Sequence, residues 1–405
     1  MKASRPFTIH VAGQTWELKL PDTVDREAWN FSQEAVDLDR AVRDALENPI
    51  AFPNVASGIL DEDTVAIAID PDVPEALAIA RAMVTWLLEQ PQAPQEIIVV
   101  LGSAPEHQRE VWSRAFEEWA GDDPDRPRVR VVWHDPHTPE RLEYVAAAES
   151  ADPIYIQRDL VEAAFVLPVY SVRHDDAPNA CDLYAMSPMF ADAQTQRRWN
   201  EAWFEDNRQH KHRQLRLSRE AGWLMGIQYA IAVLPAPDGR VGQLWGGDPE
   251  TVHRQAEEAW RAHYPSRSDE DPRYDLIVAT LEGPASQKHW MNAARCAWAA
   301  DRQLSPAGRI VLCVDLDRVT EGIASLASDE PDDVLQQQLL SSASEDAFAA
   351  SILRSIQARR SVYLMSGIES GTAESLGFAV ISEGSDLERL VASSQRVAWW
   401  DGAQY

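Results

Sequence analysis

The chain has 405 residues, 45% of them hydrophobic and 25% charged, which describes a globular protein with more chain than one hydrophobic core usually serves, and so two domains. Its formal net charge of −28 repels phosphate backbones and anionic lipid, which argues against nucleic-acid and membrane partners. Cys181, Cys296 and Cys313 fit neither a disulfide framework nor a zinc pattern, and no apolar run approaches the roughly 20 residues of a membrane span. The opening MKASRPFTIHV lacks the apolar centre of a signal peptide, so a soluble, cytoplasmic protein is expected.

Phe7–Val11 and Thr15–Leu20 flank a glycine-containing turn and predict a hairpin; Asp39–Glu47 predicts a short helix. The stretch from Ala51 to His107 organises the chain around it. Thr64–Ile69 (TVAIAI) is a short β-branched run that stops at Asp70. Glu75–Glu89 places Leu77, Ile79, Ala80, Met83, Val84, Leu87 and Leu88 at helical spacing, and Ile97–Leu101 is a second buried strand. Two buried strands joined by a helix imply a parallel crossover, whose ligands bind beyond the carboxyl ends of the strands. Those ends are Asp70–Pro74 and Gly102–His107.

Glu106–Ala120 predicts a helix with Val111, Trp112, Ala115, Phe116 and Trp119 inward, and Val129–Trp133 a strand ending at His134-Asp135. Thr138–Ser150 reads as partly helical, Ile154–Ile156 as a strand, Leu160–Ala164 as a helical turn, and Phe165–Tyr170 as a buried strand running to Arg173-His174-Asp175-Asp176. Residues 179–216 read as helical in their second half. Gly226–Leu234 and Arg240–Leu244 predict a hairpin, Gly246-Gly247-Asp248 a turn, and Pro249–His263 a helix. Pro265–Arg273, polar and proline-flanked, predicts a linker. After it come a strand at Tyr274–Thr280, a helix at Trp290–Leu304, a strand at Arg309–Val314, a helical region at Val334–Ile356, strands at Ser361–Leu364 and Phe378–Ile381, and a helix at Asp386–Ser393. The expected fold is α/β with two domains, 1–264 and 274–405, each a mostly parallel sheet flanked by helices, with a cleft between them.

No G-x-G-x-x-G follows a strand, and there is neither a P-loop nor a G-x-S-x-G elbow, so those nucleotide and hydrolase sites are not supported. Ser103 stands at a strand end, where a turn residue and a nucleophile look alike. His174-Asp175-Asp176 is the densest polar cluster: an acid–base histidine oriented by a carboxylate, a metal site, or a solvated loop. His134-Asp135 is a similar pair. His210-Lys211-His212 could bind metal if extended, but in a helix residues two apart face away from each other, which favours a solvated basic face.

The order of segments resembles the nickel-dependent lactate racemase (LarA) family over nearly the whole length. Asp44–Ile50 is similar to its A-L-x-x-P-I segment, Asp70–Pro74 lies where the family carries D-x-T-R-P, and Leu142–Val172 resembles the run leading to a catalytic histidine, matched by His174. Gly246-Gly247-Asp248 followed by Ala256 resembles its G-D-x-x-A-H stretch, and Tyr274–Val278 and Pro306–Leu312 resemble its second-domain strands. The resemblance implies a nickel pincer nucleotide tethered to a lysine, which accepts a hydride from C2 of a 2-hydroxy acid while two histidines exchange the hydroxyl proton. It assigns one acid–base role to His174, and the other to a position that holds Pro105 without a gap or His107 with a two-residue insertion. It places Asp70, Asp72, Ser103 and Tyr184 around the cofactor, and Trp290 and Arg295 near a hydroxy-acid or sugar-acid substrate.

This chain departs from that pattern. Tyr184 stands where the tethering lysine is expected, Trp199-Asn200 near the nickel-ligand histidine, and Val73 at the arginine of D-x-T-R-P. Trp290–Ala294 lacks both the glutamine and the lysine of Y-Q-x-x-K, with Arg295 one position away. The departures leave two readings: a racemase or epimerase with a rebuilt site, and a cofactor-less pseudoenzyme or binding protein on the same scaffold. The resemblance leaves the metal ligands of this chain unassigned.

Overall fold

A computed structural model describes residues 7–26, 35–70, 72–102, 106–119, 127–150, 152–173, 177–178, 182–204, 208–264, 273–344 and 346–405. They form two compact units: Phe31–Ala236 with Arg240–Tyr264, and Met1–Asn30 with Pro237–Gly239 and Pro265–Tyr405. The expected boundary of 1–264 therefore shifts, because the first 30 residues go with the C-terminal unit. The cause is packing: Ile9, Val11 and Leu18 of the hairpin share a core with Leu276, Val278 and Trp399. Asp25–Arg26 also adds a strand beside Val397–Trp400. Most of the expected linker, 265–272, lies outside the described residues.

The larger unit holds a six-stranded sheet in the order Val241–Gly247, Ala230–Pro235, Phe165–Ser171, Thr64–Ile69, Glu96–Leu101, Arg128–Trp133. Every pairing is parallel except the first. Central parallel strands are covered on both faces and so read as continuous apolar runs. Val65 to Ile69 and Ile97 to Leu101 are accordingly buried on both sides. Ile79, Met83, Val84 and Leu87 of the Ala76–Leu88 helix close one face with Ile67, Val99 and Leu167. Each such large aliphatic side chain contributes about 1.5–3 kcal/mol by leaving water.

Within Thr138–Ser150 only Pro139–Arg141 is helical, a single 3-10 turn; Leu142–Ala147 is a strand and pairs antiparallel with Pro153–Gln157. Val111, expected inward, is 54% exposed, while Trp112 and Phe116 of the same segment are buried. Gly246-Gly247 ends a strand rather than forming a turn, and Asp248 caps the Pro249–His263 helix through Thr251 N.

The second unit's main sheet is parallel throughout, in the order Ala379–Val380, Val362–Met365, Leu304–Cys313, Tyr274–Thr280, Val397–Trp400, Asp25–Arg26. Pro306-Ala307-Gly308 lies inside the Leu304–Cys313 strand, not ahead of it, and the register shifts opposite Tyr274 and Leu276. Val397–Trp400, which sequence periodicity missed, is buried at all four positions. Apart from the short Asp25–Arg26 edge strand, in each sheet the chain builds outward from a central strand in one direction and then returns to that strand's other side. The reversal lies between Thr64–Ile69 and Phe165–Ser171 in one sheet, and between Tyr274–Thr280 and Val397–Trp400 in the other. Ligands of open α/β sheets bind outside the strand ends at such points.

Candidate functional site

At the first reversal the chain leaves Ile69 into a tight turn. Asp70 donates its N–H to Val169 O at 3.2 Å, and its carbonyl accepts from Val73 N at 3.0 Å. Its Oδ1 accepts from Asp72 N at 2.9 Å. From the neighbouring strand end comes Arg173, whose side chain is 1% exposed. Its Nη1 lies 3.4 Å from Asp70 Oδ2, and its Nη2 donates to Asp72 O at 3.4 Å and lies 3.9 Å from Asp72 Oδ2. Sequence reasoning put Asp70 and Asp72 near a cofactor and passed over Arg173. The structure ties all three together, so the two carboxylates share a cation instead of facing a ligand as a double negative charge. This lock fixes the backbone that leads directly to residue 174.

His174 and Ser103 lie outside the described residues, as do Asp175 and Asp176. His107 falls in the first turn of the Glu106–Ala115 helix, and its side chain is likewise not described. Both positions follow strands that flank Thr64–Ile69, counting His174 after Phe165–Ser171 and His107 after Glu96–Leu101.

His134 is 1% exposed, with Nδ1 3.0 Å from Gln157 Oε1 and Nε2 2.9 Å from Ala191 O. Burial lowers its pKa, only partly opposed by those hydrogen bonds. Its neighbour Asp135 accepts from His137 N and Thr138 Oγ1 in a local turn. The pair is thus a strut between a strand end and the segment around Ala191, not an acid–base couple. His210 and His212 sit two apart in the Arg208–Leu224 helix and so face apart, and Lys211 lies over the Trp203 ring at 5.6 Å.

Tyr184 is half-buried, and its N–H donates to Asp182 Oδ1 at 3.1 Å. A Cβ at Gly222 would collide with the Tyr184 side chain, so only glycine lets the Arg208–Leu224 helix approach this closely. Burial, then the charges of Glu250, Asp182 and Asp248, raise the Tyr184 phenol above its usual range, which disfavours a phenolate nucleophile. Asp182 is 4% exposed. Its Oδ1 also accepts from Ala185 N at 3.0 Å, while its buried Oδ2 has no hydrogen-bond partner. The Ser218 hydroxyl beside it donates to Ser187 O. Burial pushes the Asp182 carboxyl up to about 6, against the pull of Ser218, the two backbone N–H groups and His253. Nothing in the sequence pattern marks Asp182.

In the second unit Trp290 is 2% exposed, stacks on Phe378 at 6.2 Å and donates Nε1–H to Arg318 O at 2.8 Å. Arg295 is also 2% exposed, and its Nη1 donates to Asn292 Oδ1 at 2.6 Å within the same helix. Both expected substrate residues are therefore packed inside their unit. What lies at this sheet's reversal is a different set. Glu282 accepts from Thr280 Oγ1 at 2.8 Å, and Lys288 pairs with Asp315 Oδ2 at 2.8 Å. Burial raises the Glu282 pKa; the Thr280 bond opposes it, Asp401 adds to it, and His10 and Lys288 draw it down. Lys288 is one of four lysines in the chain and the only one after Lys211, a signal that sequence reasoning left unused. Cys296 and Cys313 are buried free thiols whose pKa burial raises.

The described residues do not fit a tethered nickel nucleotide. Tyr184 offers no amine at the expected tether. At the expected nickel ligand, Trp199 is buried and stacks on Trp203 at 4.9 Å. Among the described residues no group of three or more His, Cys, Asp or Glu is placed to hold a metal, and no helix is long and apolar enough to cross a membrane.

No protein-family model and no curated protein sequence matches the chain. Solved structures do. The lactate racemase apoprotein from Thermoanaerobacterium thermosaccharolyticum superposes with a TM-score of 0.72 at 15% identity, covering 99% of both chains. A structural-genomics protein from Thermotoga maritima superposes with a TM-score of 0.61 at 12% identity, covering 92% of this chain and 97% of its own. The chain has the two-unit α/β fold of lactate racemase, the LarA-like scaffold that its order of segments led us to expect.

Proposed function

We propose that this protein binds a small hydroxy acid or sugar acid at the carboxyl end of its first sheet, and that it does so without the nickel pincer nucleotide. The observation that carries this reading is Tyr184. The sequence resemblance assigns Tyr184 to the position of the tethering lysine, and its side chain packs against Gly222 while its backbone N–H donates to the buried Asp182. His174 is the group assigned to the ligand, because it follows directly on Arg173, whose pairing with Asp70 and Asp72 holds that strand end in place. The net charge of −28 supports a small-molecule partner over nucleic acid or an anionic membrane.

Calorimetric titration with a panel of 2-hydroxy acids and sugar acids tests the reading. Binding of one class is expected, weakened at least tenfold by His174→Gln with no loss of melting temperature. Unchanged affinity in that folded variant would remove His174 from the site. A second reading, an active racemase or epimerase, is favoured by the placement of His174 and His107 after the two strands that flank Thr64–Ile69. It predicts inversion of a 2-hydroxy acid, read by chiral chromatography, and loss of that inversion in either histidine variant.

A further inference from the structure

The strand that ends at the Arg173 lock begins, at Phe165, on the wall of a cavity of about 340 Å3. Six residue steps of roughly 3.3 Å each separate Phe165 from Ser171, so the cavity lies about 20 Å from the carboxyl end of that strand. Its volume falls in the range of small-molecule sites. Tyr144, Leu160, Phe165, Leu224 and Met225 line it, and none of its lining residues carries a charge. In a chain that is 25% charged, that wall is selective: an ionic ligand would find no counter-charge there.

Hydrogen-bonding groups are nevertheless present. Val145 lies between the ladder pairs Tyr144↔Tyr155 and Ala146↔Ile154, where the register shifts, and has no cross-strand partner in that ladder. A bulge of this kind turns backbone groups away from the sheet, and Val145 lines the cavity. Tyr144 and the exposed Gln228 are both lining residues and bring a phenol and an amide to this part of the fold. The lining residue Tyr144 and its cross-strand partner Tyr155 are 50% and 39% exposed with rings 5.6 Å apart, and Trp223, which precedes the lining residue Leu224 in sequence, is 69% exposed.

We propose that this cavity is a binding site for a small, uncharged ring compound that also offers hydrogen-bonding groups, about the size of two fused rings. It is separate from the hydroxy-acid site and independent of it. The probe is N-phenyl-1-naphthylamine, which is neutral, bicyclic at its core, carries one N–H and fluoresces when it leaves water. Titration of the full chain is expected to show saturable binding of one probe per chain. Ala164→Trp, which fills the cavity, is expected to weaken binding at least tenfold, Tyr144→Ala several-fold, and His174→Gln not at all. Absence of saturable binding, or equal affinity in a folded Ala164→Trp variant, overturns the proposal. Should Ala164→Trp fail to fold by circular dichroism, the exposed Tyr144→Ala decides the question, and unaltered affinity there overturns it equally.

Discussion

Arg173 and Asp182 are both buried charges, and the chain compensates them differently. Arg173 is answered by Asp70 and Asp72, so the desolvation of its guanidinium is offset by two anions. Arg173→Met leaves Asp70, 4% exposed, without this cation. The expected loss is about 3–5 kcal/mol in a denaturant titration; a loss under about 1 kcal/mol, ordinary for an exposed pair, would show that the lock is slack. Asp182 has hydrogen-bond donors for one oxygen and none for the other. Its folded pKa of about 6 lies above the usual 3.8, so the folded state holds a proton that the unfolded chain has lost. Its contribution is therefore favourable at low pH and fades as pH rises from about 4 through 6. Asp182→Asn is expected to match the parent near pH 4 and to exceed it by up to about 3 kcal/mol above pH 7. A difference that does not grow with pH would contradict the assignment.

Glycines decide how closely certain elements meet. Gly247, with φ of 150°, ends its strand against Ile50, whose N–H donates to Gly246 O at 2.8 Å and whose carbonyl accepts from Asp248 N at 2.9 Å. A Cβ at Gly247 would collide with the Ile50 carbonyl. Gly247→Ala is expected to cost about 2–4 kcal/mol, read as a fall in melting temperature. The same scale shows what was legible in the sequence. Thr64–Ile69, the Ala76–Leu88 helix and Tyr274–Thr280 were readable because a buried parallel strand is a continuous β-branched run and a packed helix repeats every 3.6 residues. Leu142–Ala147 was not, since its Ala146-Ala147-Ala148 end favours helix and only pairing with Pro153–Gln157 makes it a strand. Asp25–Arg26 is two residues long and exists only because Val397–Trp400 receives it. Asp70 was legible as a strand end, whereas its partner Arg173 is 103 residues away and no local pattern links them.

Across the whole molecule, a net charge of −28 places like charges close enough to oppose compaction. Screening relieves this, so the melting temperature is expected to rise between roughly 0.05 and 0.5 M NaCl; a flat response would show that this repulsion contributes little to stability. At this scale the proposed function is a property of the whole scaffold: a lactate-racemase fold that operates without the nickel nucleotide. Its most direct test is intact mass and metal content of the chain purified from a host that makes the cofactor. An unmodified chain free of nickel is expected. Nickel bound together with a nucleotide-sized added mass, covalent or not, would contradict it and restore the racemase chemistry to this fold.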